Sequence, residues 1–96
     1  MIEFEWDDHN QKHILEDYPK RGNTISEVES IFNDPFMEYR LSERTTTEQR
    51  YIAIGLSNLA RIRVVVFTMR EERIRPISSY PANTQTKRHY YERAKN

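Results

Sequence analysis

The spacing of apolar residues changes near residue 36, and this change limits what the chain can fold into more than any other feature of it. Ahead of that point, after a short alternating start, apolar side chains recur at helical intervals; beyond it they alternate, as strands do. Ile2, Phe4 and Trp6 share one face and Glu3 and Glu5 the other, which predicts a short half-buried strand. Asp7 or Asp8 is suited to cap a following helix in which Asn10, His13, Ile14 and Tyr18 fall at helical spacing. Pro19 ends it, because proline disfavours α geometry in the residue before it. Lys20-Arg21-Gly22-Asn23 reads as a loop. Ser26 with Glu29 forms a capping box, Thr24 with Glu27 offers a second register, and Val28, Ile31 and Phe32 supply the stripe of a second helix stopped by Asp34-Pro35.

In the second part, Phe36 to Leu41 is expected to be a strand, and the polar run Ser42 to Thr47 reads as a mobile loop. Arg50, Ile52, Ile54 and Leu56 alternate with Tyr51, Ala53 and Gly55 in a second strand, and Ser57-Asn58-Leu59-Ala60 turns the chain. Arg61 to Arg70 is the clearest strand, with Ile62, Val64 and Val66 on one face and Arg61, Arg63, Val65, Phe67 and Met69 on the other. Glu71-Glu72 makes the next turn into a strand from Arg73 to Ser79, where Pro76 must lie at an edge or bulge because it has no N–H to donate. Asn83 or Thr84 caps a last helix to about Ala94 that carries Lys87, Arg88, Tyr90 and Tyr91. The order β-α-α-β-β-β-β-α with short connections predicts an α+β fold, an antiparallel meander packed by helices. At 96 residues the chain is one domain, 1–96.

Composition removes several functions. Cys is absent, so thiolate metal sites, thiol nucleophiles and disulfides are excluded. The start Met-Ile-Glu-Phe-Glu-Trp lacks the basic and apolar regions of a signal peptide, and the longest apolar run, Val64 to Phe67, is too short to span a membrane. A cytoplasmic location is the expectation. His9 and His13 are four apart on a helix, the spacing of a zinc pair, and with Asp7 and Asp8 they would serve a metal-dependent hydrolase; no third His at matching spacing accompanies them. No nucleophile-elbow motif is present, and no cofactor is expected.

The formal net charge is zero, with fifteen Lys+Arg against fifteen Asp+Glu, but it is segregated. Residues 1–38 carry ten acidic and three basic side chains, and residues 39–96 carry five acidic and twelve basic ones, ten of them Arg. Either the halves face and neutralise each other, or the basic half faces nucleic acid or a partner. Arg matches phosphate with a planar, permanently charged fork. Arg50, Arg63 and Arg75 lie on three consecutive predicted strands, with Arg61 and Arg73 two residues from the latter two, so matching registers would set a row of guanidinium groups across a sheet face. Tyr80, Tyr90 and Tyr91 offer stacking surfaces for bases. Such a site could cleave RNA by stabilising charge on the phosphate attacked by the neighbouring 2′-hydroxyl. Glu48 and His89 are the available general bases, and Tyr80 could act as an acid only with a strong pKa shift.

The motifs Phe4-Glu5-Trp6-Asp7, Asn10-x-x-His13-Ile14, Glu27-x-Glu29-x-x-Phe32-Asn33-Asp34-Pro35, Glu48-x-Arg50-Tyr51-x-Ala53-x-Gly55, Arg63-x-Val65-Val66-Phe67-Thr68-x-Arg70 and Ile74-Arg75-x-Ile77-Ser78 stand in this order, followed by Pro81-Ala82-Asn83 and Tyr90-Tyr91-Glu92. Together they resemble the BrnT family of toxins from bacterial type II toxin–antitoxin systems. The resemblance implies a RelE-like fold and a metal-independent ribonuclease that arrests translation. It also implies inhibition by a BrnA-type antitoxin, through which alone DNA would be contacted. On it Arg50, Arg63 and Arg75 bind phosphate, Glu48 is a base, Tyr80 belongs to the catalytic group, and Arg61, Arg73, Lys87 and Arg88 add RNA contacts. The chain carries Tyr80 where the family commonly has Arg, Thr86 where it commonly has Glu, and Pro76 in place of an aliphatic residue. These departures keep a second reading open, a non-catalytic module that binds RNA or protein through the same basic sheet.

Overall fold

In the computed structural model, residues 2–44 and 47–95 are described. Asp7 caps the first helix through a capping box with Asn10. That helix runs over Asp8–Gln11 (α1) and continues as a π-helical turn, Lys12–Glu16, with the Asp17 N–H donating to the Lys12 carbonyl. A 3-10 turn, Pro19–Arg21, ends at Gly22 in the left-handed region. Thr24 caps the second helix, Ile25–Ser30 (α2), which tightens into the 3-10 turn Ile31–Asn33. Of the two capping registers, Thr24 wins. Its hydroxyl accepts from the Glu27 N–H, whereas the Glu27 carboxylate turns inward to Ser57 and Arg61.

Four strands follow: Glu38–Leu41 (β1), Arg50–Leu56 (β2), Ile62–Arg70 (β3) and Arg73–Pro81 (β4). They form one antiparallel sheet in the order β1-β2-β3-β4, the meander expected from the short connections. The β3–β4 turn places both Glu71 and Glu72 at positive φ, which matches the twist of a two-residue hairpin. Thr45 and Thr46, in the polar run read as a mobile loop, lie outside the described residues. The last helix is Thr84–Lys95 (α3), and the Asn83 side chain caps it by accepting from the Thr86 N–H.

The expected first strand is reduced to one parallel bridge between Phe4 and Ile74. The Ile74 N–H donates to Glu3, and the Glu5 N–H donates to Ile74. The next rung would need an N–H at residue 76, and Pro76 has none, so pairing stops. The Asn10 side-chain amide takes up both the Glu5 and Pro76 carbonyls, each at 3.0 Å.

Strand parity divides the sheet into two faces. Ala53, Val65, Phe67 and Ile74 pack against Ile14, Val28, Ile31 and Phe32 of the N-terminal helical layer. Phe32 meets Phe4 and Phe67 edge to face, so aromatic area supplements a small aliphatic core. On the opposite face Ile62 and Val64 pack against Ala82 and Tyr90, so α3 covers that end of the sheet. Tyr90, read from sequence as a base-stacking candidate, is therefore a core residue. Its hydroxyl donates to Asp34 at 2.5 Å, and burial with this bond pushes its pKa up to about 12.

A register shift between Val66 and Phe67 makes a β-bulge in β4: Ser78 pairs with Val66 and Pro76 with Phe67, so Ile77 is the extra residue. The bulge has a functional consequence. Arg75 and Tyr80 are five apart and would lie on opposite faces of a regular strand. With the bulge, Arg75 pairs with Thr68 and Tyr80 with Val64, both on the face that α3 covers only in part.

Candidate functional site

The uncovered part of that face is a cleft of about 680 Å³. Its floor is Arg50 and Ile52 from β2, Val66 from β3, and Ile77, Ser78 and Tyr80 from β4. Arg40 and the residues after β1, including Arg44, form one wall, and His13, Tyr18 and Arg21 form the other. A second groove of about 410 Å³ adjoins it, sharing His13, Arg44, Arg50 and Ile77 and adding Glu48, Thr68, Arg70 and Arg75. Strand pairing explains the continuity, since Arg50 and Arg75 flank Thr68 on one row of the sheet.

Charge distinguishes the cleft from the rest of the surface. Among the described residues, five of the twelve basic side chains of the second half, Arg61, Arg70, Arg73, Arg75 and Arg93, pair with acidic ones of the first. Glu27 holds Arg61, Glu3 holds Arg73, Glu38 holds Arg93, and Arg75 bonds both Glu5 and Asp7. The cleft itself is lined by Arg21, Arg40, Arg44 and Arg50, which stand outside these pairs, and the Arg50 charge helps to keep Glu48 ionised from across the adjoining groove. The Arg21 guanidinium lies 3.9 Å above the Tyr18 ring and 5.6 Å from the centre of the Tyr80 ring, and it reaches Ser78 Oγ at 3.4 Å. A planar cation held between two aromatic rings keeps its charge available and its orientation narrow.

The site residues expected from the sequence fall into different places. Arg50 and Tyr80 line the cleft, and Arg75 and Glu48 line the adjoining groove. Glu48 is gripped by Arg70 through two bonds of 2.9 and 2.8 Å, which hold its carboxyl below the usual range and make it a weak base. Arg75 is buried and committed to Asp7 at 2.8 Å and Glu5 at 3.0 Å.

Arg63 does not join the row. It pairs with Gly55 and Pro81 at the far end of the strands, on the face of Val65 and Phe67, and is only 2% exposed. Its guanidinium donates to the Arg21 carbonyl at 3.0 Å and to the Asn23 side chain, and burial lowers its pKa. Arg61 grips the buried Glu27 in a two-pronged pair. Lys87 lines a separate basic groove with Lys20, Arg21, Arg61, Arg63 and Tyr91. Arg73 sits beside Glu3 by the β3–β4 turn, and Arg88 is exposed on α3; neither lines the cleft. His89, the other candidate base, lies 3.6 Å from Glu38 in a different hollow.

Sequence reasoning missed Arg21, Arg40, Arg44 and His13 as cleft residues. Arg40 faces Ile52 across β1–β2 and shares the parity of Arg50, a signal available only once the register is known. Arg21 lay in a stretch read merely as loop. From the sequence, His13 reads as one half of a zinc pair with His9. Among the described residues, no three His, Cys, Asp or Glu side chains converge as a metal site, and no helix is long and apolar enough to cross a membrane.

Comparison with known proteins agrees with the resemblance carried by the motifs. A family model described as the ribonuclease toxin BrnT of type II toxin–antitoxin systems matches residues 6–86. No curated protein matches the chain. The family match spans the capped first helix, all four strands and the start of α3, and so takes in the whole cationic cleft. The chain belongs to the BrnT family of ribonuclease toxins of type II toxin–antitoxin systems.

Proposed function

We propose that the chain, a single toxin domain over 1–96 on a RelE-like scaffold, is a metal-independent endoribonuclease that arrests translation in the cytoplasm and is neutralised by a BrnA-type antitoxin. The observation that carries this reading is the cleft in which Arg21, Arg40, Arg44 and Arg50 converge beside Tyr18 and Tyr80. Single-stranded RNA fits this chemistry: guanidinium groups take the phosphates, and aromatic rings take bases by stacking. Fixed guanidinium groups also stabilise the extra negative charge of a phosphate under attack by a 2′-hydroxyl, which is work a metal ion is not needed for. Arg50 is the phosphate-binding residue on the cleft floor. Arg75 and Glu48 frame the adjoining groove, and Arg63 serves by holding the Arg21 loop. Lys20 and Lys87, in the basic groove that shares Arg21, carry RNA onward, with Arg61 at its border.

The test is cleavage of a single-stranded RNA by the purified chain in the presence of EDTA. Cleavage by wild type, lost in Arg50→Ala and in Arg21→Ala, is the expected result. Binding of RNA without cleavage by wild type would instead establish the second reading, a non-catalytic RNA-binding module, which Tyr80 in place of the family's common Arg favours. Adding the antitoxin to active protein is expected to stop cleavage.

A further inference from the structure

We propose that His13, oriented by Asp17, accepts the proton of the attacking 2′-hydroxyl, with Asp17 as its positioning residue. The inference rests on RNA cleavage in the cleft and names the base that the reaction needs. Three observations carry it.

The first is place. His13 lines both the cleft and the adjoining groove, and its side chain is 40% exposed. It stands at the junction of the two cavities, facing Arg50 and Arg44 across them.

The second is orientation. His13 Nδ1 lies 3.5 Å from Asp17 Oδ2, while Asp17 Oδ1 accepts from Lys12 Nζ at 2.7 Å. The carboxylate is thus pinned from one side and turned to the imidazole on the other. The Lys12 bond also keeps it ionised by holding its pKa below the ordinary value. A carboxylate at Nδ1 favours the proton there and leaves the lone pair on Nε2, the nitrogen that a base must present. The π-helical turn forms this arrangement. Its wider winding bonds the Asp17 N–H to the Lys12 carbonyl and brings both Lys12 and His13 onto Asp17.

The third is coupling to the phosphate-binding cation. Tyr18 meets the His13 ring edge to face at 5.4 Å and carries the Arg21 guanidinium at 3.9 Å. One aromatic ring therefore fixes the spacing between the base and a charge that binds the phosphate. The alternatives are committed elsewhere, Glu48 to Arg70 and His89 to a hollow beside Glu38.

In the reaction, the 2′-hydroxyl gives its proton to His13 Nε2 and its oxygen bonds to the adjacent phosphorus. The bond from phosphorus to the 5′-oxygen breaks, and that oxygen takes a proton from water. The products are a 2′,3′-cyclic phosphate and a 5′-hydroxyl end. The charged and titratable groups around His13 are Lys12, Asp17 and Tyr18 on its own segment and Arg21 on the next turn. Arg40, Glu43, Arg44, Glu48 and Arg50 face it from β1, β2 and their connection, Arg70 from β3, and Arg75 and Tyr80 from β4, with His9 on α1.

The experiment is single-turnover cleavage of a single-stranded RNA oligonucleotide across pH 5–9 by wild type, His13→Ala, His13→Gln, Asp17→Asn, His89→Ala and Arg50→Ala. RNA binding and thermal unfolding are measured alongside. His13→Ala and His13→Gln are expected to lose about 100-fold or more in rate and the acidic limb of the profile while keeping RNA binding. Added imidazole is expected to restore part of the rate in His13→Ala. Asp17→Asn should shift the acidic limb, and His89→Ala should leave rate and profile unchanged. A folded His13→Ala that retains the wild-type rate and limb overturns this inference, while loss of cleavage in Arg50→Ala still upholds the cleft. Loss of the acidic limb in His89→Ala likewise overturns it. If wild type itself cleaves nothing, the ribonuclease reading and this inference fall together.

Discussion

The Arg63 guanidinium donates to the Arg21 carbonyl at 3.0 Å, so a buried cation on β3 holds in place the turn that presents a half-buried one to the cleft. The two arginines have opposite duties although both stand in basic stretches of sequence. Arg63 is surrounded by backbone oxygen and the Asn23 side chain, whereas Arg21 rests on an aromatic ring.

That division predicts separable effects. Arg63→Ala leaves part-buried acceptors on Arg21 and Asn23 without this donor, opens a cavity where a fully buried side chain stood, and is expected to cost about 3 kcal/mol of stability. Arg50→Ala removes a half-buried side chain from the floor of the cleft. It is expected to change stability by less than about 0.5 kcal/mol while lowering RNA cleavage about 100-fold. Denaturant unfolding of the two variants beside their cleavage rates decides this. Equal stability in the two would show that Arg63 does not anchor the Arg21 turn.

RNA affinity should depend steeply on salt. Four cleft guanidinium groups contacting phosphates of a single strand give a slope of about −3 in log affinity against log salt. Each of Arg21→Gln, Arg40→Gln, Arg44→Gln and Arg50→Gln is expected to flatten it by about 0.7. Fluorescence anisotropy titrations between low and moderate salt measure it directly; a slope near zero would rule out a phosphate-reading cleft.

Asp7 ties acid stability to one pair. The Arg75 hydrogen bond, helped by the Asn10 N–H, holds its pKa at about 2 against an ordinary 3.8. A carboxylate lowered in the folded state contributes stability above its ordinary value and loses it as pH falls through the folded one. The contribution is therefore present at neutral pH and disappears between about pH 4 and pH 2. Asp7→Asn preserves a good helix cap, so it isolates the ion pair. Its melting temperature is expected below that of wild type at pH 7, with the gap closing by pH 2.

The β3–β4 turn can be improved. Glu71 and Glu72 adopt φ of 50° and 67°, a region that costs side-chain-bearing residues about 1–2 kcal/mol each. Asn-Gly is the pair such a hairpin favours. Replacing Glu71-Glu72 by Asn-Gly is expected to raise stability by about 1–2 kcal/mol in denaturant melts. No gain would mean that the strain is offset by contacts of the two glutamates.

Local chemistry was legible over most of the sequence, though the expected first strand shrank to one bridge at Phe4 and the first helix widened into a π turn after Gln11. Alternation marked β2, β3 and β4 within two residues of their observed ends, and Pro76 was correctly assigned to a bulged edge. Asp7, Thr24 and Asn83 acted as caps as their side chains allow. The motif order carried the family. The cleft was legible only in part. Arg50 and Tyr80 were found, Arg21, Arg40 and Arg44 passed unmarked, and Arg63, whose face beside Val65 and Phe67 was read correctly, was wrongly joined to the row of Arg50 and Arg75.

The sequence by itself determined the elements, because caps, turns, proline and strand alternation act over a few residues. Only the tertiary structure decided which cations remain charged toward solvent and which face they share. Whether an arginine meets a glutamate some 34 residues away, as Arg61 meets Glu27, depends on chain packing and not on spacing. One extra residue at Ile77 reverses the parity of β4 and brings Tyr80 to the face of Arg75. The opposed charges of the two halves proved to be both things the sequence allowed. Arg61, Arg70, Arg73, Arg75 and Arg93 are neutralised across the fold, and the cleft is lined by arginines outside those pairs.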